Sequence, residues 1–190
     1  DTLNEPINGD LDIAGWELRK TLSLLHKGNA VVHEWLNSPV VYRADAERLK
    51  RLSAFANLAF NPLAAFSHYF YMSRNKLESL GKVPMSGKAF LYGLRTLLCA
   101  RWIQAFNTAP PMEFGKLVSQ FVCDSVLKGE IAEMLDAKRE GVESETVCVS
   151  DDLIMFARNG LEELEHAKGG LSESELQPCE YDNFLRKIIG

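Results

Sequence analysis

The centre of the fold is set by the stretch Ser86-Gly-Lys-Ala-Phe-Leu-Tyr-Gly-Leu-Arg-Thr-Leu-Leu-Cys-Ala-Arg-Trp-Ile-Gln-Ala-Phe106. Apolar side chains recur in it at the three-and-four spacing of one helix face, and further apolar residues widen that face beyond a single stripe. The face positions are Leu91, Leu94, Leu98, Trp102 and Phe106, and the widening residues are Phe90, Leu97 and Ile103. The pattern predicts a helix from Ser86 to about Asn107 that lies in the core.

One flank of this helix keeps polar groups. Lys88, Tyr92 and Arg95 follow one another at i, i+4 and i+7, which places two cations about 10 Å apart with a phenol between them. A cation beside a core needs an anion. That anion is either a carboxylate of the fold, such as Glu113 or another helix acid, or a bound ligand such as phosphate.

Length and composition indicate a globular protein. The 190 residues are 46% hydrophobic, enough for one sizeable core. No run approaches the roughly 18 uncharged apolar residues of a membrane-spanning helix, and the start of the chain lacks the basic and apolar regions of a signal peptide. We therefore expect a cytoplasmic protein without membrane association. The four cysteines form no Cys-x-x-Cys pair, so we expect reduced and mostly buried thiols.

Charge is divided along the chain. Residues 1–112 carry 13 Lys and Arg against 9 Asp and Glu, whereas residues 113–190 carry 8 against 17. The basic stretch 74–101 holds Arg74, Lys76, Lys82, Lys88, Arg95 and Arg101, with Glu78 as its single acid. Such a stretch is either a solvated helix face or a surface for an anionic partner.

The remaining pattern predicts a mainly α protein, a helical bundle with one short strand. Residues 7–13 alternate apolar and polar groups, as a strand does. Capping and breaking signals predict further helices over 16–26, 30–35, 44–56, 62–80, from 112, 125–141, 151–168 and 180–189, with 38–43 extended or a turn and 142–150 a surface loop.

The strand has no visible partner in the sequence. Since a lone strand cannot satisfy its own backbone groups, it either docks elsewhere or belongs to a sheet outside this sequence. We therefore divide the chain into a strand segment, 1–13, and a helical domain, 14–190.

Common catalytic signatures are absent from the sequence. It contains no His-Glu-x-x-His, Gly-x-Ser-x-Gly, Walker or Gly-x-Gly-x-x-Gly motif. Asp10 and Asp12 remain. On a strand, residues i and i+2 point to the same face, so both carboxylates could approach Mg²⁺, although surface acids in a turn give the same pattern.

Three blocks, in this order, carry a resemblance to a family. They are Gly9-Asp-Leu-Asp-Ile-Ala-Gly-Trp-Glu-Leu-Arg-Lys20 with Leu24-Leu-His-Lys-Gly-Asn29, then Glu34-Trp-Leu-Asn-Ser-Pro39, then Lys88-Ala-Phe-Leu-Tyr-Gly-Leu-Arg95 with Cys99-Ala-Arg-Trp-Ile103 and Pro110-Pro-Met-Glu-Phe114. The chain, over about residues 5 to 165, resembles the predicted nucleotidyltransferases of the DNA polymerase β superfamily, the bacterial and phage group linked to RNA repair.

The resemblance implies a mixed sheet with a Gly-Ser motif and a pair of acids, a third acid on a later strand, and a helical domain behind it. The Gly-Ser motif and the first acid pair do not occur in this sequence. The chain thus resembles the last catalytic strand plus the helical half. By this resemblance, Asp12 or else Asp10 is the third carboxylate, and two Mg²⁺ ions are the implied cofactor.

The implied reaction transfers a nucleoside monophosphate from an NTP to a hydroxyl of RNA, a protein or a small molecule. Lys88 and Arg95 would hold the triphosphate, and Tyr92 would contact the base or ribose. The protein would be an enzyme if the intact product carries the Gly-Ser and acid-pair motifs. The alternatives are a non-catalytic helical module that binds RNA, a nucleotide or a partner protein through residues 74–101, and a purely structural domain.

Overall fold

The computed structural model of the chain describes residues 2–4, 13–78, 85–140, 149–166 and 170–189. Two short strands come first, β1 (Thr2–Asn4) and β2 (Ala14–Trp16). The helices that follow are α1 (Leu18–His26), α2 (Ala30–Leu36), α3 (Ala46–Leu58), α4 (Pro62–Leu77), α5 (Gly87–Phe106), α6 (Phe114–Phe121), α7 (Ser125–Arg139), α8 (Asp151–Glu165) and α9 (Pro178–Ile189). The prediction of a mainly α protein is confirmed.

Side-chain caps begin six of the described helices, close to where the sequence predicts that these helices start. The capping residues are Asn29, Asp45, Asn61, Ser86, Asp124 and Ser150, and each accepts a hydrogen bond from a backbone N–H in the first turn of its helix. Such a bond satisfies a donor that the helix cannot pair internally. Local chemistry therefore fixes where these helices start.

The main core surrounds α5. Phe90, Leu94, Leu97, Leu98 and Ile103 are fully buried there. Side chains from α4, α6, α7 and α8 complete this cluster, so α5 is covered on several sides, as its broad apolar surface predicts.

A second, smaller cluster joins α1, α2, α3 and α9. Its buried members include Leu22, Leu25, Val32, Tyr181 and Leu185. The last helix thus packs against the first part of the chain. Helix α2 contributes to both clusters, because Ala30 belongs to the main core and Val32 to the smaller one.

The first segment of the chain pairs with itself. β1 and β2 are antiparallel, with Thr2 opposite Trp16 and Asn4 opposite Ala14. Of the predicted strand over 7–13, residues 7–12 lie outside the described residues, and Ile13 is not part of β2. The division at residue 13 stays a prediction, and the second strand begins directly after it.

Three other expectations meet the structure in part. Residues 79–84, 141–148 and 167–169, which include three predicted helix ends and most of the predicted loop, lie outside the described residues. The prediction of mostly buried cysteines is wrong for the described ones, because Cys99 is buried but Cys123 and Cys179 are exposed. Within the described part of the chain, none of the helices has the length and hydropathy needed to cross a bilayer.

Candidate functional site

The polar flank of α5 changes from exposed to half-buried along its length. The side chain of Lys88 is exposed, and Tyr92 is 44% exposed. Arg95, one turn further on, has only 21% of its side chain exposed. The three predicted residues therefore share one helix flank, but their surroundings differ.

Arg95 is held by the fold. Its Nη1 donates to the backbone oxygen of Met112 at 3.0 Å, and its Nη2 lies 3.5 Å from Glu34 Oε1. The sequence left open whether a carboxylate of the fold or a bound ligand such as phosphate would pair with this cation. In the structure, the carboxylate of Glu34 on α2 does so. Glu113 is not that acid, because its carboxylate accepts a hydrogen bond from Lys116 Nζ at 2.6 Å.

Glu34 has a second partner. The hydroxyl of Tyr69 on α4 donates to the same Oε1 at 2.9 Å. Burial raises the pKa of Tyr69, and nearby Cys99 and Glu34 raise it further. Burial also raises the pKa of Cys99 to about 12, with Arg95 acting in the opposite direction. The phenol and the thiol are therefore neutral near pH 7, and they lie beside the ion pair between Glu34 and Arg95.

Sequence reasoning missed Glu34, Tyr69 and Met112. A signal for Glu34 existed, because it is the one charged residue in the helix Ala30-Val-Val-His-Glu-Trp-Leu36. An acid in so apolar a helix needs a partner of opposite charge or a donor. The identity of that partner depends on packing between helices that lie far apart in the chain.

A groove lies next to this cluster, and we call it the asparagine groove. It has a volume of about 580 Å³ and is lined by Asn37, Asn57, Phe60, Trp102, residues 107–113 and Lys116. Met112 belongs both to the groove and to the contacts of Arg95. The Arg95 guanidinium therefore holds one wall of the groove in place.

Two local features shape the groove at the end of α5. Asn107 adopts a left-handed conformation with φ 54°, which asparagine tolerates at the end of a helix. The indole N–H of Trp102 donates to Thr108 Oγ1 at 3.1 Å. Together they turn the chain out of the helix and orient the indole ring.

The basic stretch 74–101 is partly neutralised by the fold. Arg101 forms an ion pair with Glu163, and Arg74 lies 3.5 Å from Glu165. Both acids come from α8, in the acidic part of the chain. Arg95, bound to Glu34, is a further described cation of this stretch with an internal acid, and Lys82 lies outside the described residues.

The predicted metal ligands, Asp10 and Asp12, lie outside the described residues. Among the residues that are described, no group of three or more His, Cys, Asp or Glu side chains is placed to hold a metal ion. The carboxylate oxygens of both aspartates are of the type that Mg²⁺ prefers.

Comparison with known proteins identifies the class. The chain matches the model of the RNA repair pathway DNA polymerase beta family, RlaP, over residues 1–187, and it belongs to that family. It is thus related to the polymerase-β-like nucleotidyltransferases, as the three sequence blocks predict. A relative is the uncharacterized protein YcgL of Bacillus subtilis, which is 36% identical over 191 residues that span 100% of this chain and 74% of YcgL. No solved structure matches the chain.

Proposed function

We propose that this chain supplies the helical part of a nucleotidyltransferase that transfers a nucleoside monophosphate from an NTP to a hydroxyl, with RNA as the first acceptor to test. Family membership over residues 1–187 is the observation that supports this most directly. In the reaction, the acceptor oxygen bonds to the α-phosphorus, the bond to the β-phosphate oxygen breaks, and pyrophosphate leaves while the hydroxyl proton passes to a base.

Lys88 and Tyr92 are the proposed contacts to the NTP. Both side chains are exposed on one flank of α5, a rigid helix fixed in the core. The ammonium group would contact a phosphate, and the phenol ring would pack on the base or ribose. Placing such groups on a buried helix favours catalysis by positioning, on which phosphoryl transfer depends.

Arg95 is a further proposed contact to the NTP, but its guanidinium already lies next to the Glu34 carboxylate. Its shortest contact is to the Met112 oxygen at 3.0 Å, whereas the contact to Glu34 at 3.5 Å is at the limit of a hydrogen bond. A guanidinium has five N–H donors. A phosphate oxygen would therefore compete with the Glu34 carboxylate, while the bond to Met112 keeps the side chain in place.

Asp12, with Asp10 as the second choice, is the proposed carboxylate for Mg²⁺. Bound Mg²⁺ supplies charge neutralisation for the triphosphate and its leaving group. The other carboxylates of the family pattern would come from sequence beyond these 190 residues. By this proposal, the chain alone binds an NTP weakly and requires that further sequence for turnover.

The test is calorimetric titration of the chain with each NTP, with and without Mg²⁺. We expect binding that tightens with Mg²⁺, loses that tightening in Asp12→Asn, and weakens about tenfold in Lys88→Ala, which is the scale of one charged hydrogen bond. Asp152→Asn and Lys50→Ala are matched controls on exposed parts of α8 and α3. NTP binding that ignores Mg²⁺ and both site variants would contradict the proposal.

The second candidate is a non-catalytic helical module that binds RNA, a nucleotide or a partner protein. The internal ion pair of Arg95 favours it, because a guanidinium already bound to Glu34 and Met112 is less available to a triphosphate. Metal-independent binding of an RNA oligonucleotide, weakened steeply by salt, would support this candidate over the transferase.

A further inference from the structure

We propose that the asparagine groove binds an uncharged nucleobase, presented as part of a nucleoside. This site is separate from the exposed flank of Lys88 and Tyr92 and needs neither phosphate nor Mg²⁺. Its chemistry follows from charge, hydrogen-bonding groups and ring surfaces that the helices bring together.

Charge excludes an anion as the preferred ligand. The groove lining has one acid and one cation, Glu113 and Lys116, and their side chains bind each other at 2.6 Å. The lining therefore carries no net charge. A phosphate would have to share Lys116 with the Glu113 carboxylate, which would repel it, whereas a neutral ring would leave the ion pair undisturbed.

Hydrogen-bonding capacity in the groove is concentrated in three carboxamides. Asn37 ends α2, Asn57 lies near the end of α3, and Asn107 ends α5. Within the described ranges, none of these carboxamide groups forms a hydrogen bond to another residue. Each presents an N–H donor and an oxygen acceptor, the combination that recognises the edge of a nucleobase.

Ring surfaces complete the site. Trp102 is half-buried and is fixed by its bond to Thr108 and by ring contacts to Phe106 and Phe121 at 4.6 and 6.4 Å between centroids. Phe60 packs edge-on against His33 at 5.0 Å. Aromatic rings held this firmly offer flat surface to a base at little cost in ordering.

The volume of the groove and the helix ends that form its walls agree with a nucleoside as the ligand. A volume of about 580 Å³ lies within the range of small-molecule sites. The walls come from the ends of α2, α3 and α5 and from the segment before α6, and the bond from Arg95 to Met112 holds that segment. The groove is therefore preformed by the core.

The test is a titration of the full chain with adenosine, guanosine, cytidine and uridine without Mg²⁺, followed by NMR of the asparagine side-chain amides and the Trp102 indole. We expect at least one nucleoside to shift the signals of Asn37, Asn57 and Asn107. Asn57→Ala should weaken binding about tenfold, within the range for a base contact. Asn107→Gly should do the same, because glycine keeps the left-handed backbone while removing the carboxamide.

The controls separate this site from the proposed NTP site. Asn75→Ala on α4 removes an exposed carboxamide outside the groove, and Lys88→Ala removes the proposed phosphate contact. Neither should change nucleoside affinity. The inference is overturned if no nucleoside shifts the groove signals at millimolar concentration, if ribose 5-phosphate binds as well as nucleosides, or if Asn57→Ala and Asn107→Gly bind with unchanged affinity. Loss of NTP binding in Lys88→Ala with nucleoside binding intact would leave both sites standing.

Discussion

At the scale of single residues, Glu34 is the organising group of the described site. One carboxylate oxygen receives Tyr69 from α4 and Arg95 from α5. Arg95 then carries the connection on to the backbone of Met112 before α6. Four separate parts of the chain are thereby tied together, and a half-buried polar cluster of this kind is costly to leave incomplete.

Arg95→Met tests the structural part of that role. It should lower the free energy of unfolding by about 1–2 kcal/mol, because the Met112 oxygen and Glu34 each lose a donor. Arg139→Met is the control, since its ion pair with Asp136 is largely exposed and should contribute only a few tenths of a kcal/mol. Urea unfolding measures both. Equal losses of unfolding free energy in the two variants would show that the half-buried contacts of Arg95 stabilise the protein no more than an exposed ion pair does.

His33, the neighbour of Glu34, predicts a dependence of stability on pH. Burial lowers its pKa from 6.5 to about 4. The unfolded chain therefore binds a proton between pH 6.5 and about 4 that the folded chain does not, so stability falls as pH falls through this window and levels off below it. The shift corresponds to at most about 3 kcal/mol.

The variant His33→Phe removes this titration and keeps an aromatic ring against Phe60. Compared with the parent chain, its free energy of unfolding should decline less between pH 7 and pH 4, as measured by urea unfolding at each pH. His68→Gln changes an exposed histidine and should follow the parent curve. Parallel curves for His33→Phe and the parent would contradict the assignment.

At the scale of elements, α4 and α5 pack closely against each other in the main core, and Gly93 on α5 lies at their contact. A Cβ added at Gly93 would lie 2.7 Å from Leu77 Cδ2 and 3.1 Å from Lys76 Cβ. Leu77 is fully buried, so its side chain has little room to move. The missing side chain at Gly93 thus sets how closely the flank of Lys88, Tyr92 and Arg95 lies against α4.

Gly93→Ala should destabilise the protein by about 1–3 kcal/mol, the usual cost of overpacking a core. Gly129→Ala, on α7, meets no atom within 4 Å and should be neutral or stabilise by up to about 1 kcal/mol through helix propensity. Thermal unfolding followed by circular dichroism compares the two. A Gly93→Ala protein as stable as the parent would mean that α4 and α5 can separate without cost.

At the scale of the whole molecule, charges that are segregated along the chain are brought together by folding. The acidic α8 lies against the basic helices, where Glu163 binds Arg101 and Glu165 binds Arg74. The ring of Phe156 on the same helix also packs under the Arg101 guanidinium, at 5.4 Å. The positive surface that the sequence indicates is therefore reduced by an acidic cover.

Removing the acidic residues of α8 that cover the basic helices should expose the positive surface. The double variant Glu163→Gln with Glu165→Gln should bind a single-stranded RNA more tightly than the parent at low salt. Its plot of log K against log salt should be steeper by about 0.7 to 1.4, the equivalent of one or two phosphates. Fluorescence polarisation of a labelled RNA gives both values. The control is Glu133→Gln with Glu140→Gln, which changes net charge by the same amount at two exposed residues, one in α7 and one directly after it. An equal gain in RNA affinity in this control would reject a specific role for α8.

The helices and their order could be predicted because their signals are local. Capping side chains such as Asn61 and Ser86 act within one turn of their own backbone, and the apolar surface of α5 is wide enough to require burial on several sides. Family membership could be predicted for the same reason, since the blocks are contiguous in sequence.

The partner of Arg95 and the asparagine groove could not be predicted, because packing alone brings their residues together. Glu113 has a lysine at i+3, so this pair needs only one helix turn to form, whereas Glu34 lies 61 residues away from Arg95 in the sequence. The three groove asparagines lie at or near the ends of separate helices, and nothing in their spacing relates them. Periodicity and capping energies depend on neighbours along the chain, but a binding surface depends on which helix ends meet after the core has formed.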